Sequence, residues 1–172
     1  VAVSLAVWVT MGSPILFRHS RAGRYGQTFQ LYKFRTMRAP RPGEEGVERD
    51  MQRITALGHW LRRRSLDELP SLFNLLRGDI SLVGPRPLEM RYLPRYSQEQ
   101  ARRHTVPPGL TGWAQINGRN EISWDRKLAL DVWYVDHQSL KLDVSIMLRT
   151  VGTLFSRGGT YKGAAGGWQE GA

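Results

Sequence analysis

Cysteine is absent from the 172 residues, which excludes a disulfide framework, a thiol nucleophile and every Cys-ligated zinc or iron–sulfur centre. Histidine is scarce. The four residues His19, His59, His104 and His137 never stand three or four apart, which argues against a His-built metal site. Lysine is scarce beside arginine: of 25 Lys and Arg, 21 are Arg, set against 15 Asp and Glu. That bias suits planar, two-pronged recognition of phosphate more than general solubility. No unbroken apolar run reaches the ~20 residues a bilayer span requires. The uncharged stretch from Val1 to Phe17 is interrupted at Gly12-Ser13-Pro14.

What is present fits one ordinary domain, since 41% hydrophobic residues in a chain of this length can build a core. The charge is concentrated: residues 18–64 hold 12 Lys and Arg against 4 Asp and Glu, and the remainder holds 13 against 11. The first third therefore supplies a basic surface, suited to nucleic acid, an anionic membrane face or a phosphorylated substrate. The opening Val1-Ala-Val-Ser-Leu-Ala-Val-Trp-Val-Thr-Met11 lacks a Met start and a basic leader, so it reads as the downstream part of a membrane-embedded helix rather than a signal peptide. A buried core segment is the alternative. Residues 1–17 are thus a helix remnant, 18–157 the main domain and 158–172 a Gly-rich tail with little to bury.

Short runs at Ile15–Arg21 and Thr28–Phe34 around Ala22-Gly-Arg-Tyr-Gly26 predict a hairpin with a longer loop. Residues 39–48 predict an exposed loop, and helices follow at about 50–64, 69–77, 97–104, Trp124–His137 and Leu142–Phe155. In the last helix Val144, Met147, Leu148, Val151, Leu154 and Phe155 form an apolar stripe. The fold class is α+β: a helix-rich single domain with a small β-hairpin and amphipathic membrane-surface helices.

Chemistry concentrates at Arg62-Arg-Arg-Ser-Leu-Asp-Glu-Leu-Pro-Ser-Leu-Phe73. Ser65 and Glu68 fit a capping box, whereas Pro70 fits the first position of a helix and would place Asp67 and Glu68 just before its N-terminus. An Asp there needs no deprotonation at pH 7, its unperturbed pKa being ~3.9. Gly84-Pro-Arg-Pro87 presents Arg86 on a stiff backbone, because both neighbours have a fixed φ. Asp131 falls beside Leu128 and Val135 on one side of its helix, where an unpaired carboxylate is costly; it reads as a salt-bridge partner of an Arg or as a site residue. Asp143 reads as a partner for the positive end of the final helix.

The segments Gly12-Ser-Pro-Ile-Leu-Phe-Arg18, Tyr32-Lys-Phe-Arg-Thr-Met37, Leu61-Arg-Arg-Arg-Ser-Leu-Asp-Glu-Leu-Pro70, Gly78-Asp-Ile-Ser-Leu-Val-Gly-Pro-Arg-Pro87, Pro108-Gly-Leu-Thr-Gly-Trp-Ala-Gln115 and Asn117-Gly-Arg119 together resemble the bacterial sugar transferases, the monotopic phosphoglycosyl transferases. They lie in order over roughly residues 10–155, and the ordered set is far more specific than any one motif. Two features depart from the family pattern. Most of the upstream membrane helix is missing, and Arg64 stands where Thr is common.

The resemblance implies transfer of a sugar 1-phosphate from a nucleoside diphosphate sugar, typically a UDP-sugar, to a polyprenyl phosphate. Asp67 would form an aspartyl phosphosugar, and Glu68, with Asp67, would hold Mg²⁺. Lys33, Arg62 and Arg86 would contact phosphate, and Asp131 and Arg119 are further candidates. The same resemblance implies membrane lipids as partners, no nucleic acid, a homo-oligomer as an option and a place on the cytoplasmic face of a bacterial inner membrane. A non-catalytic basic adaptor at a membrane surface or a nucleic-acid binder is the alternative reading of the charge, although no nucleic-acid motif accompanies it.

Overall fold

A computed structural model of the chain describes residues 1–44, 47–118 and 122–155. Arg119 and the Gly-rich tail lie outside them. Among the described residues the architecture is α+β and helix-rich, with two two-stranded sheets. The described residues fall into two compact units, one made of Val1–Arg18 and Tyr32–Leu72, the other of His19–Leu31 and residues 73–155.

The predicted hairpin forms from β1 (Leu16–Ala22) and β2 (Thr28–Phe34). Its loop is a single 3₁₀ turn, Arg24–Gly26, in which Tyr25 and Gly26 have φ of 55° and 74°. The Gly23 N–H donates to the Gln27 carbonyl at 2.7 Å to close it.

In the first unit, α1 (Ala2–Met11) stops where Gly12 turns to φ +68°. Arg35, just after β2, donates to the carbonyls of Met11, Gly12 and Ser13, so one guanidinium satisfies carbonyls that the helix end leaves unpaired. Val7 is buried, while Leu5, Trp8 and Val9 are exposed. Among the described residues no helix is long and apolar enough to cross a membrane.

The helix expected at 50–64 is two pieces. A 3₁₀ turn at Val47–Arg53 ends at Ile54, which bridges to Met37, and α2 (Ala56–Arg63) then starts afresh. Thr55 causes the restart, because its hydroxyl accepts the Gly58 N–H at 3.0 Å as an N-cap. Gly58 lets α2 lie against the backbone after β2, where an added Cβ would stand 2.0 Å from the Thr36 carbonyl oxygen.

The second unit contains a sheet that local patterning does not reveal. Strands β3 (Ser81–Val83) and β4 (Gly109–Thr111) run parallel, with Ser81 opposite Gly109 and Val83 opposite Thr111. Contact is so close that a Cβ on Gly109 would lie 2.1 Å from the Gly84 nitrogen. Gly84 and Gly109 are therefore needed for strand approach. Short helices α3 (Leu72–Arg77), α4 (Gln98–Ala101) and α5 (Trp113–Ile116) accompany α6 (Trp124–His137) and α7 (Leu140–Phe155). A Ser97–Gln100 capping box starts α4, and Ser123 caps α6.

In the second unit Val83, Tyr134 and Ile146 form a buried hydrophobic cluster, with Trp113, Ile116, Leu142 and Met147 around it. Of the four α7 stripe residues whose side chains are described, only Met147 joins it. Ile146, outside that stripe, is fully buried, whereas Val144, Leu148 and Val151 are exposed; Leu154 and Phe155 have side chains outside the described part.

His104 is buried in the second unit, with Nδ1 3.2 Å from the Gly23 carbonyl oxygen. Burial, with Arg103 next to it, holds its pKa down to about 4. The folded form keeps the ring neutral, so the unfolded chain takes up the proton first as pH falls below ~6.5. Stability is therefore complete above that pH and declines towards pH 4. The expected loss is ~3 kcal/mol over that range, measurable as urea midpoints, and His104→Gln should flatten it. An unchanged slope in the variant would assign the acid sensitivity to other groups.

Candidate active site

The first unit gathers four of the charged residues singled out by sequence. Strand β2 carries Lys33 near its end, α2 carries Arg62 in its last turn, and the 3₁₀ turn Leu66–Ser71 carries Asp67 and Glu68. Neither local reading of that turn survives. Ser65 adopts φ 54°, ψ 21° and makes no side-chain cap, and Pro70 lies inside the turn rather than at the head of an α-helix, which begins only at Leu72. Pro70 has no N–H to give the Leu66 carbonyl, so an α-turn cannot close there and the tighter turn forms instead. Its consequence is that both carboxylates sit on one short turn directly after α2.

Lys33 Nζ donates to Glu68 Oε1 at 2.6 Å, with both side chains about four-fifths buried. Arg62 Nε donates to the Thr36 hydroxyl at 2.8 Å. Thr36 joins the candidate site although sequence reasoning does not single it out: its carbonyl accepts the Thr55 N–H, its backbone faces Gly58 and its hydroxyl holds Arg62. Its place in Tyr32-Lys-Phe-Arg-Thr-Met37, three residues beyond Lys33, was the available signal.

Asp67 is buried. Burial raises its carboxyl above the ordinary range; Lys33 pulls it down, Glu68 pushes it up, and Arg62 and its own backbone N–H pull it down again. The unperturbed value assumed from sequence is thus corrected. The two cations keep the ionised form accessible in a site whose burial and acidic neighbour oppose it.

The other candidates belong to the second unit. Arg86 is exposed on the Gly84–Pro87 turn. Asp131, on α6, is paired with Arg103 at 2.7 Å, and both are buried. Asp143, in the first turn of α7, accepts the Tyr134 hydroxyl at 2.8 Å, and with burial this raises the tyrosine pKa.

For Mg²⁺, the donor set is the test. Asp67 and Glu68 offer hard oxygen ligands, and among the described residues no group of three or more His, Asp or Glu forms a cage. Magnesium commonly uses one or two carboxylates, keeps several waters and takes the rest from substrate phosphates. The pair fits a site completed by substrate.

Comparison with known sequences matches residues 1–157 to the model of one family, described as bacterial sugar transferase. The chain belongs to the bacterial sugar transferase family. It is 55% identical over 145 residues, 84% of the chain and 72% of the relative, to the uncharacterized sugar transferase EpsL of Bacillus subtilis. It is 38% identical to the undecaprenyl-phosphate galactose phosphotransferase of Salmonella typhimurium, covering 87% of the chain and 35% of that protein. Another sugar transferase, the UDP-glucose:undecaprenyl-phosphate glucose-1-phosphate transferase of Caulobacter vibrioides, is 40% identical over 92% of the chain and 63% of its own length. Against the Salmonella relative the chain spans about a third of the length.

Proposed function

We propose that the chain is the catalytic part of a phosphoglycosyl transferase, moving a sugar 1-phosphate from a nucleoside diphosphate sugar to a polyprenyl phosphate at the cytoplasmic face of a bacterial inner membrane. The observation that carries this reading is a buried Asp67 kept ionisable by Lys33 and Arg62 beside a second carboxylate, in a chain of sugar-transferase ancestry. Relatives bearing undecaprenyl-phosphate galactose and glucose transferase names support the substrate classes. A basic adaptor or a nucleic-acid binder has no use for two carboxylates on one turn beneath cations.

In this mechanism an Asp67 oxygen attacks the β-phosphorus of the sugar nucleotide. The bond from that phosphorus to the bridging oxygen breaks, and the nucleoside monophosphate leaves with the electron pair. The phosphate oxygen of the lipid then attacks the same phosphorus, releasing Asp67 as carboxylate and giving the polyprenyl diphosphate sugar. Bound Mg²⁺, held by Glu68 and Asp67, would neutralise phosphate charge. Lys33 fixes Glu68, Arg62 is fixed by Thr36, and both offset the charge of the approaching anions.

Exposed Trp60, Leu69 and Leu72 flank the carboxylates in sequence, and Leu5, Trp8 and Val9 cover α1. These apolar surfaces suit burial at a lipid interface, with α1 as part of a membrane-embedded helix.

The test is release of UMP from a panel of UDP-sugars, UDP-galactose and UDP-glucose among them, by the chain in membranes with and without undecaprenyl phosphate. Turnover that requires the lipid, with ping-pong kinetics, is expected; sugar transfer by a sequential route would overturn the covalent step. Arg86→Lys should cost about ten-fold in kcat/KM, because a point charge cannot reproduce a guanidinium's paired bonds to phosphate, with little change in Tm. A stability loss with intact kcat/KM would make Arg86 a structural residue.

A further inference from the structure

We propose that Arg103 and Asp131 are positioning residues for Arg86, and that their buried ion pair serves to hold the carbonyl of the Pro-Arg-Pro turn. The inference rests on the reading of Arg86 as a phosphate contact.

The turn has an unusual supply of hydrogen bonds. Pro85 and Pro87 have no N–H, so within 85–87 only Arg86 can donate from the backbone. The turn is held instead through its carbonyls. Pro85 accepts from the Gly109 N–H at 2.9 Å, which ties it to β4. Arg86 accepts from Arg103 Nη2 at 2.7 Å.

Arg103 cannot swing away, because its side chain is 1% exposed and Asp131, at 5%, fixes the guanidinium plane. Nη2 donates to Asp131 Oδ2 at 2.7 Å and Nε to the same oxygen at 3.1 Å. The Tyr96 ring lies 5.8 Å from the guanidinium. A single nitrogen, Nη2, thus joins the carboxylate on α6 to the backbone from which Arg86 projects.

Stability does not account for this arrangement. A buried ion pair is commonly no better than well-packed apolar residues of the same volume, and only one oxygen of Asp131 is used while Oδ1 has no partner among the described residues. What the pair supplies, and an apolar pair cannot, is an oriented donor for the Arg86 carbonyl. Arg86 is exposed whereas Gly84 and Pro85 before it are buried, so the bonds to the Pro85 and Arg86 carbonyls set the direction in which its side chain leaves the fold.

The test is a double-mutant cycle on the full chain in membranes, reading kcat/KM with UDP-galactose or UDP-glucose, whichever turns over, and Tm in parallel. Arg103→Lys keeps the charge beside Asp131 but lacks a fork that reaches both partners. It should lower kcat/KM about ten-fold, as Arg86→Lys does, and the double variant should be little worse than either alone. Because Arg103→Lys could simply loosen the fold, Arg103→Met combined with Asp131→Leu provides the control. That variant should regain wild-type Tm and still lack the ten-fold. Multiplying losses in the Arg86–Arg103 cycle, or full kcat/KM in the apolar pair, would overturn the positioning role while leaving Arg86 as a phosphate contact. Should Arg86→Lys itself leave kcat/KM unchanged, the reading of Arg86 fails and the positioning role falls with it.

Discussion

Asp67→Asn should abolish turnover, by roughly 10⁴–10⁶-fold as for other lost nucleophiles, while the protein melts at an unchanged or higher temperature. The activity loss follows from chemistry: an amide at neutral pH cannot form the aspartyl phosphosugar, an acyl phosphate. The stability side follows from burial. The folded-state pKa of Asp67 is raised, so as pH climbs the unfolded chain releases its proton first and the native state is left with the costlier ionisation. Below the unfolded pKa that cost is absent, and above the raised folded value it is complete. A neutral Asn removes it at pH 7. The acid limb of wild-type kcat/KM should accordingly lie above the ordinary Asp value of ~3.9. Rates near wild type in the variant would remove Asp67 from the reaction, and a large drop in Tm would make its role structural.

Asp67, a buried carboxylate whose ionisation opposes folding, lies in a segment that the sequence singles out, while the balance of charges around it was not legible there. Asp67, Glu68, Lys33 and Arg62 stand in motifs whose order along the chain is specific, and the fold brings these four together in one unit. Their charges alone said nothing of which pairs with which. Glu68 takes Lys33 and Arg62 takes Thr36 because Gly58 allows α2 to approach the end of β2, a contact between segments about twenty residues apart. Local rules failed where a long-range contact or a proline outweighed them: Ser65 offers capping chemistry but sits in left-handed conformation, and Pro70 closes a tighter turn.

Secondary structure shows the same division. The α6 helix, Trp124–His137, was readable to its ends because Ser123 caps it and apolar spacing runs through it. The parallel β3–β4 pair was not, since each strand has three residues and their partners lie 28 apart in the chain. In α7 the apolar residues outnumber the positions that face the core, so hydrophobicity marked a helix but not its buried side; Ile146 packs on Val83 and Tyr134 while Leu148 stays 69% exposed. An apolar excess on helix surfaces is what a lipid-facing protein would carry.

Glu68→Gln should be the second most damaging change, lowering kcat/KM by roughly 10²–10³-fold, the usual cost of one electrostatic group in a transition state, and raising the Mg²⁺ concentration needed for half-maximal rate. Glutamine keeps an oxygen for Lys33 Nζ, so the turn should hold and Tm should change little. The distinguishing signature is in the pH profile. Glu68 pushes the Asp67 pKa up and Lys33 pulls it down. Removing the Glu68 charge therefore moves the acid limb of the residual activity to lower pH, while Lys33→Met moves it to higher pH. These opposite displacements require that both groups act on the Asp67 carboxylate. If Glu68→Gln retained its rate and its Mg²⁺ requirement, Glu68 would be only the tether of Lys33, and the metal-holding role would have to pass to Asp67 and the substrate phosphates.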